Sequence, residues 1–228
     1  MPRQIVLAGG EEFRIGCEEM DREVMRASGK DPAQVIIIPT AAVTGPAKAA
    51  NDGVTHFAAL GGVAYQLMVL DGAQANDPEF IQPVTNADVV YFTGGSPDHL
   101  LSALRDSELL RLLMAGVERG MVLGGSSAGA MVMGSMMRRP SPGRWVEGLG
   151  VVPGVAVLPH HERSDPATTV RQIKETTLGD LICLGIDART GCLGSANDWR
   201  VVGSGKVTVY QAGEFAVYSA GDRLPEGF

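Results

Sequence analysis

Residues 121–134, Met-Val-Leu-Gly-Gly-Ser-Ser-Ala-Gly-Ala-Met-Val-Met-Gly, constrain this chain more than any other stretch. Met121 to Leu123 read as the end of a buried strand, and Ala130 onward as the first turns of a buried helix. Between them lies Gly125-Ser126-Ser127-Ala128-Gly129, a match to G-x-S-x-G. A strand that turns at once into a helix holds its corner residue in a strained backbone conformation with the side chain exposed. Glycines two residues to either side leave room where a Cβ would collide with the neighbouring chain. Ser127, not Ser126, has glycine at both of those positions. A serine at such a corner stands where free N–H groups favour developing negative charge, and the N–H of Ala128 is placed to form half of an oxyanion hole. The same five residues would also suit a tight turn or a phosphate loop. The apolar strand before them, the apolar helix after them and a histidine at a later strand end favour catalysis.

The order of the remaining elements decides the fold class. Gln4–Ala8, Gln34–Ile38, Tyr65–Leu70 and Ala87–Thr93 read as strands, and they alternate with helical spacing over Cys17–Ser28 and Pro46–Leu60. Leu100–Gly120 reads as helix in two pieces, and the elbow helix extends to about Met137. Arg138–Gly150 is rich in proline and glycine and reads as a loop. Val155–Leu158 is a strand, Asp165-Pro166 caps a helix to about Thr177, and Leu181–Asp187 is another strand. Short β segments close the chain over Gly191–Ser195, Trp199–Gly203, Val207–Gln211 and Phe215–Ser219. This order predicts one α/β domain over residues 1–228, with a doubly wound, mostly parallel sheet between helices and a short antiparallel extension at its C-terminal end. Ligands in such sheets bind beyond the carboxyl ends of the strands. Gly94-Gly95, Ser127 and His160 each follow such an end.

Of the four histidines, His56 falls within a helix and His99 at a helix start, which suits structural roles. His160 and His161 sit where a strand gives way to a loop, and alternation lets only one of them face the site. His160 is preferred as the base that a serine nucleophile requires. The orienting carboxylate is open: Glu147 ranks first, Asp187 second, and Glu162 and Asp165 lie close to His160 in sequence. Gly94-Gly95 is the candidate second half of the oxyanion hole.

Several classes of function are disfavoured. Gly9-Gly10 and Gly94-Gly95 lack the dinucleotide fingerprint, and Gly124-Gly125 lacks a P-loop lysine. Adjacent histidines without an acidic cluster make a poor metal site, so no metal or cofactor is expected. Met131, Met133, Met136 and Met137 read as core packing. Cys17, Cys183 and Cys192 have no C-x-x-C spacing and read as buried free thiols. A net charge of −7 without a Lys/Arg cluster points to no nucleic acid. No run approaches the roughly 20 apolar residues that span a bilayer. Met-Pro-Arg-Gln leads straight into the first strand, so the expected location is cytoplasmic.

The arrangement resembles the dipeptidase E and cyanophycinase family of serine peptidases, which has a class I glutamine-amidotransferase-like fold. The matching pieces are Leu7-Ala8-Gly9-Gly10, Ile38-Pro39-Thr40-Ala41, Tyr91-Phe92-Thr93-Gly94-Gly95, Gly125 to Ala130, Gly148-Leu149-Gly150, Pro159-His160 and Gly185-Ile186-Asp187. They follow family order to about residue 195. The resemblance implies Ser127 as nucleophile, His160 as base and an oxyanion hole from the backbone of Gly95 and Ala128. It also implies an acid between Ser127 and His160, for which Glu147 is the acidic residue in that interval. Arg163 and Arg171 follow the histidine, but the pattern around them does not match the run of arginines found there in cyanophycinases. The implied activity is hydrolysis of a small peptide or isopeptide, aspartyl dipeptides or the aspartyl-arginine polymer, in a possible homodimer. The competing reading is a catalytically inactive relative that keeps the elbow for backbone reasons and serves as a small-molecule binding or structural protein.

Overall fold

The computed structural model describes residues 3–139, 144–176, 181–195 and 198–225. Strand β1 (Gln4–Ala8) leads through a glycine-containing loop into helix α1 (Glu18–Ala27). The chain then alternates through β2 (Gln34–Ile38), α2 (Pro46–Ala59) and β3 (Val63–Gln66). A short α3 (Pro78–Ile81) precedes β4 (Val89–Phe92), α4 (Pro97–Leu104) and α5 (Glu108–Glu118). The elbow joins β5 (Val122–Ser126) to α6 (Ala128–Met133). Strands β6 (Met136–Arg138), β7 (Trp145–Glu147) and β8 (Val155–Pro159) follow, then α7 (Pro166–Lys174) and β9 (Ile182–Ile186). The chain closes on β10 (Thr190–Ser195), β11 (Asp198–Gly203), β12 (Lys206–Gln211) and β13 (Glu214–Ser219).

The main sheet runs β11-β10-β1-β5-β4-β2-β3. Its five strands from β1 to β3 are parallel, and β10 and β11 extend it in antiparallel pairing. Strands here are apolar on both faces because helices cover both. Side chains alternate between two cores accordingly. Ile5, Leu7, Ile36, Ile38, Val90, Phe92 and Leu123 enter one core with α4, α5 and α6. Val6, Ala8, Val35, Ile37, Val89, Tyr91 and Val122 enter the other with α1 and α2. The fold class expected from sequence therefore holds.

Three details differ from the sequence expectations. β8 and β9 do not join the main sheet. They pair in parallel with each other and form a second sheet, β13-β12-β9-β8. The elbow helix stops at Met133, and Met136–Arg138 pairs with Trp145–Glu147 as an antiparallel hairpin inside the expected loop. The third strand ends at Gln66, not Leu70. Each miss has the same cause: pairing depends on remote partners, which local periodicity does not register. The expected end of α7 at Thr177 and part of the expected loop, residues 140–143, lie outside the described residues.

The two sheets meet at the C-terminal end of β1. Gly9 N–H donates to the Thr190 carbonyl at 2.9 Å, and His160 N–H donates to the Gly9 carbonyl at 2.8 Å. The loop after β8 is thereby fixed beside the ends of β1, β4 and β5.

Candidate active site

Ser127 adopts φ 48°, ψ −108°, a conformation that L-residues rarely occupy. Its N–H donates to the Ala8 carbonyl at 2.9 Å, which ties the corner to β1. The flanking glycines are required by close approach. A Cβ on Gly125 would lie 2.6 Å from the Gly129 carbonyl carbon, and one on Gly129 would lie 2.7 Å from the Phe92 carbonyl oxygen. Strand β5, helix α6 and strand β4 thus touch backbone to backbone around the serine. Ser126, the other elbow serine, is fully buried on the inner side.

Ser127 Oγ lies 3.2 Å from His160 Nε2. His160 sits in the left-handed region, φ 53° and ψ 40°, at the end of β8. Its ring rests on Gly10: a Cβ there would lie 2.2 Å from His160 Cε1, and Gly10 itself has φ +126°. Two strained side-chain-bearing residues thus face each other across the junction of the two sheets. A neutral imidazole with its proton on Nδ1 can accept the serine proton through Nε2. That Nδ1 is buried and has no hydrogen-bond partner among the described residues.

The four carboxylates weighed from sequence lie as follows. The structure does not bring Glu147 to His160. It belongs to the β6–β7 hairpin, its side chain is 82% exposed, and its carboxylate lies 3.8 Å from Arg105. Asp187 Oδ2 accepts from the Lys206 N–H at 3.0 Å. Asp165 caps α7 by accepting from the Thr168 N–H at 2.8 Å. Glu162 Oε2 accepts from the Ala188 N–H at 2.8 Å, and Oε1 faces Arg163 at 3.3 Å. Partial burial opposes the charged form of Glu162, but the Ala188 N–H, its own backbone and the charges of His160 and Arg163 hold its carboxyl below the usual range. Arg163 is otherwise exposed.

Sequence reasoning missed Glu12. Its Oε1 accepts from the Gly94 N–H at 2.7 Å and its Oε2 accepts from Ser126 Oγ at 2.8 Å. It therefore braces the loop after β4 against the elbow. The available signal was Glu11-Glu12 directly after Gly9-Gly10, because β1 ends on the same edge as β4 and β5. Gly95 has φ +139°, and a Cβ there would lie 2.0 Å from the Ala41 carbonyl oxygen, so this candidate oxyanion position admits only glycine.

The other histidines have internal partners. His161 is buried, with Nε2 2.6 Å from the Tyr210 hydroxyl, and burial pushes its pKa down. His56 Nε2 lies 2.7 Å from Asp21 Oδ2, and His99 Nε2 lies 2.7 Å from the Leu70 carbonyl. All three cysteines are buried free thiols, and burial pushes Cys17 up to about 11 and Cys183 up to about 12. Among the described residues no group of three or more His, Cys, Asp or Glu could hold a metal ion, and no helix is long and apolar enough to cross a membrane.

Known proteins share this architecture. The chain is 28% identical over 218 residues to a cyanophycinase of Geminocystis herdmanii (strain PCC 6308), covering 90% of this chain and 79% of that protein. It is 32% identical over 155 residues to a cyanophycinase of Synechococcus elongatus, covering 63% of this chain and 48% of the relative. The crystal structure of a peptidase from an acI-B1 Actinobacterium superposes with a TM-score of 0.85 at 27% identity, covering 99% of this chain and 97% of that one. A putative peptidase E protein from Listeria monocytogenes EGD-e shares the fold at a TM-score of 0.60 and 16% identity, covering 96% and 99% of the two chains. Residues 5–193 match peptidase family S51, and the chain belongs to that family of serine-type peptidases.

Proposed function

We propose that this peptidase cleaves the peptide or isopeptide bond of a small peptide, with Ser127 as nucleophile and His160 as general base. The observation that carries the reading is the 3.2 Å approach of Ser127 Oγ to His160 Nε2 at a strained strand-to-helix corner. In the proposed mechanism, His160 takes the hydroxyl proton as Oγ attacks the substrate carbonyl. The N–H groups of Gly95 and Ala128 receive the oxyanion of the tetrahedral intermediate. His160 then protonates the departing amine. Water, activated by the same imidazole, releases the acyl group and restores the serine. A hydroxyl activated this way needs no Lewis acid.

Neither Glu162 nor Glu147 bonds the His160 ring among the described residues, and of the two Glu162 is the one close enough to act on it through charge. His160 is among the charges that stabilise the Glu162 carboxylate, whereas Glu147 is exposed beside Arg105. The cyanophycinase relatives keep an aspartyl-arginine polymer, or dipeptides derived from it, among the substrates to try, and aspartyl dipeptides remain the other class. A non-catalytic binding role is favoured by one observation, the buried His160 Nδ1 without a partner among the described residues.

The test is hydrolysis of a panel of α- and β-aspartyl peptides by the protein and by Ser127→Ala. Turnover lost in the variant supports the assignment. Turnover of every accepted peptide unchanged in the variant rejects it. Binding without turnover in the wild type favours the non-catalytic role.

A further inference from the structure

The backbone amides that follow β4 do not all have the same fate. Thr93 N–H donates to the Ile38 carbonyl at 3.3 Å, Gly94 N–H to Glu12 Oε1 at 2.7 Å, and Ser96 N–H to the Ala41 carbonyl at 2.7 Å. The Gly95 N–H has no acceptor among the described residues. Gly95 is exposed and borders both clefts that open at Ser127 and His160, one of about 270 Å³ and one of about 430 Å³. Adjacent glycines leave a backbone with unusual conformational freedom. The direction of this free N–H therefore depends on what holds the loop.

The Ala41 carbonyl packs against Gly95 on one side. Glu12 supplies the hold on the other. Its Oε1 takes the Gly94 N–H, and its Oε2 accepts from the hydroxyl of Ser126 at 2.8 Å. Ser126 is fully buried at the end of β5, so it is a rigid anchor. One carboxylate thus ties the loop after β4 to the residue that precedes the nucleophile. The backbone of Glu12 is itself fixed. Its neighbours Glu11 and Phe13 have φ 59° and φ 62°, and the Phe13 ring packs 5.6 Å from Tyr91 and 6.0 Å from Phe57. Left-handed residues of this kind persist only where the surrounding structure over-determines them.

We propose that Glu12 is a positioning residue of the oxyanion hole: it occupies the Gly94 N–H and so leaves the Gly95 N–H as the amide aimed at the reacting carbonyl. The inference rests on Ser127 being the reacting centre. Reach matters here, not charge, because a negative charge beside a developing oxyanion gives that oxyanion no stabilisation. Without the brace the Gly94–Gly95 peptide is free to turn away from the carbonyl. The loss falls on the chemical step, since the hole is complementary to the tetrahedral oxyanion more than to the ground-state carbonyl.

The experiment measures the rate constant for labelling of Ser127 by a fluorophosphonate probe, whose phosphoryl oxygen stands in for the oxyanion. Serine Oγ bonds to phosphorus, fluoride leaves, and the hydroxyl proton passes to His160. The rate constant and the midpoint of its pH dependence are read for wild type, Glu12→Gln, Glu12→Asp and Ser126→Ala, with thermal melts to establish folding. Glutamine keeps the reach: its carbonyl accepts from Gly94, and its amide donates to the Ser126 hydroxyl oxygen. Aspartate keeps the charge but is one methylene short of spanning both donors. Glu12→Gln is expected to label near the wild-type rate. Glu12→Asp is expected to lose about 10²-fold, the cost of a misplacement of about 1 Å, with an unchanged pH midpoint because His160 is untouched. Ser126→Ala frees one carboxylate oxygen and is expected to lose part of that rate; it decides the matter if Glu12→Asp does not fold. Glu12→Asp labelling at the wild-type rate, or Glu12→Gln losing as much as Glu12→Asp, overturns the brace and leaves the catalytic assignment of Ser127 standing. Wild type that is not labelled at Ser127 overturns both.

Discussion

At the scale of single residues, the site depends on backbone positions as much as on its chemistry. Gly10 lies directly under the His160 ring, so Gly10→Ala is expected to push the imidazole off Ser127. A misplacement of about 1 Å costs on the order of 10²-fold in rate. We therefore expect kcat for hydrolysis to fall by about that factor while circular dichroism stays native. Unchanged kcat would mean that the ring does not need that seat. Glu162→Gln and Glu147→Gln separate the two candidate acids. A buried, hydrogen-bonded triad acid is worth about 10⁴-fold. Glu162 acts at longer range, so we expect roughly a tenfold loss and an altered pH profile, against no change for Glu147→Gln. The pairing of Ser127 with His160 at 3.2 Å was legible in the sequence because G-x-S-x-G and a strand-end histidine each have a local cause. That Glu147 lies away from them was not, because its position follows from pairing of its strand with Met136–Arg138. Glu12 was illegible for a related reason: its partners Gly94 and Ser126 are 82 and 114 residues away in the chain.

At the scale of elements, the β5–α6 corner is the part the sequence expressed most fully. Its glycines are explained by contacts of 2.6–2.7 Å that any Cβ would make. Overpacking of this kind costs about 1–3 kcal/mol. For a chain of this length each kcal/mol lowers Tm by about 2–4 °C. Gly125→Ala is accordingly expected to melt about 5 °C below wild type by scanning calorimetry. An unshifted Tm would show that the corner has slack that the contacts do not suggest. The second sheet was legible as strands but not as a separate sheet, since apolar runs in β8 and β9 look the same whichever partner they pair with. That sheet buries His161 against Tyr210, and burial lowers the His161 pKa. A histidine with a depressed folded-state pKa binds its proton more readily when unfolded. Its contribution is thus complete above the unfolded value of about 6.5 and is lost as pH falls below it. Wild-type Tm should fall between pH 7.5 and 5.5 more than that of His161→Phe. Equal falls would remove His161 from the account.

At the scale of the whole molecule, the two cores on either face of one sheet explain why the fold class could be read from element order. Alternate residues of β1, β2 and β4 go to opposite cores, so their strands are continuously apolar, which is the signature of a parallel sheet. The site lies at the carboxyl edge of that sheet, and the second sheet closes it from the side of β1. Neither sheet alone holds both proposed reacting groups: Ser127 follows β5 and His160 follows β8. A further expectation follows from a serine mechanism that needs no Lewis acid: hydrolysis in excess EDTA should proceed at the untreated rate, and a loss restored by a divalent ion would point to different chemistry.

The central claim is that His160 activates Ser127. Its most direct test is covalent labelling by a fluorophosphonate probe, followed by intact mass and peptide mapping, in the wild type and in Ser127→Ala. The account predicts one adduct per chain on Ser127, abolished in Ser127→Ala and slowed at least tenfold in His160→Gln. An adduct on another residue, or labelling of Ser127 at the same rate without His160, would contradict it.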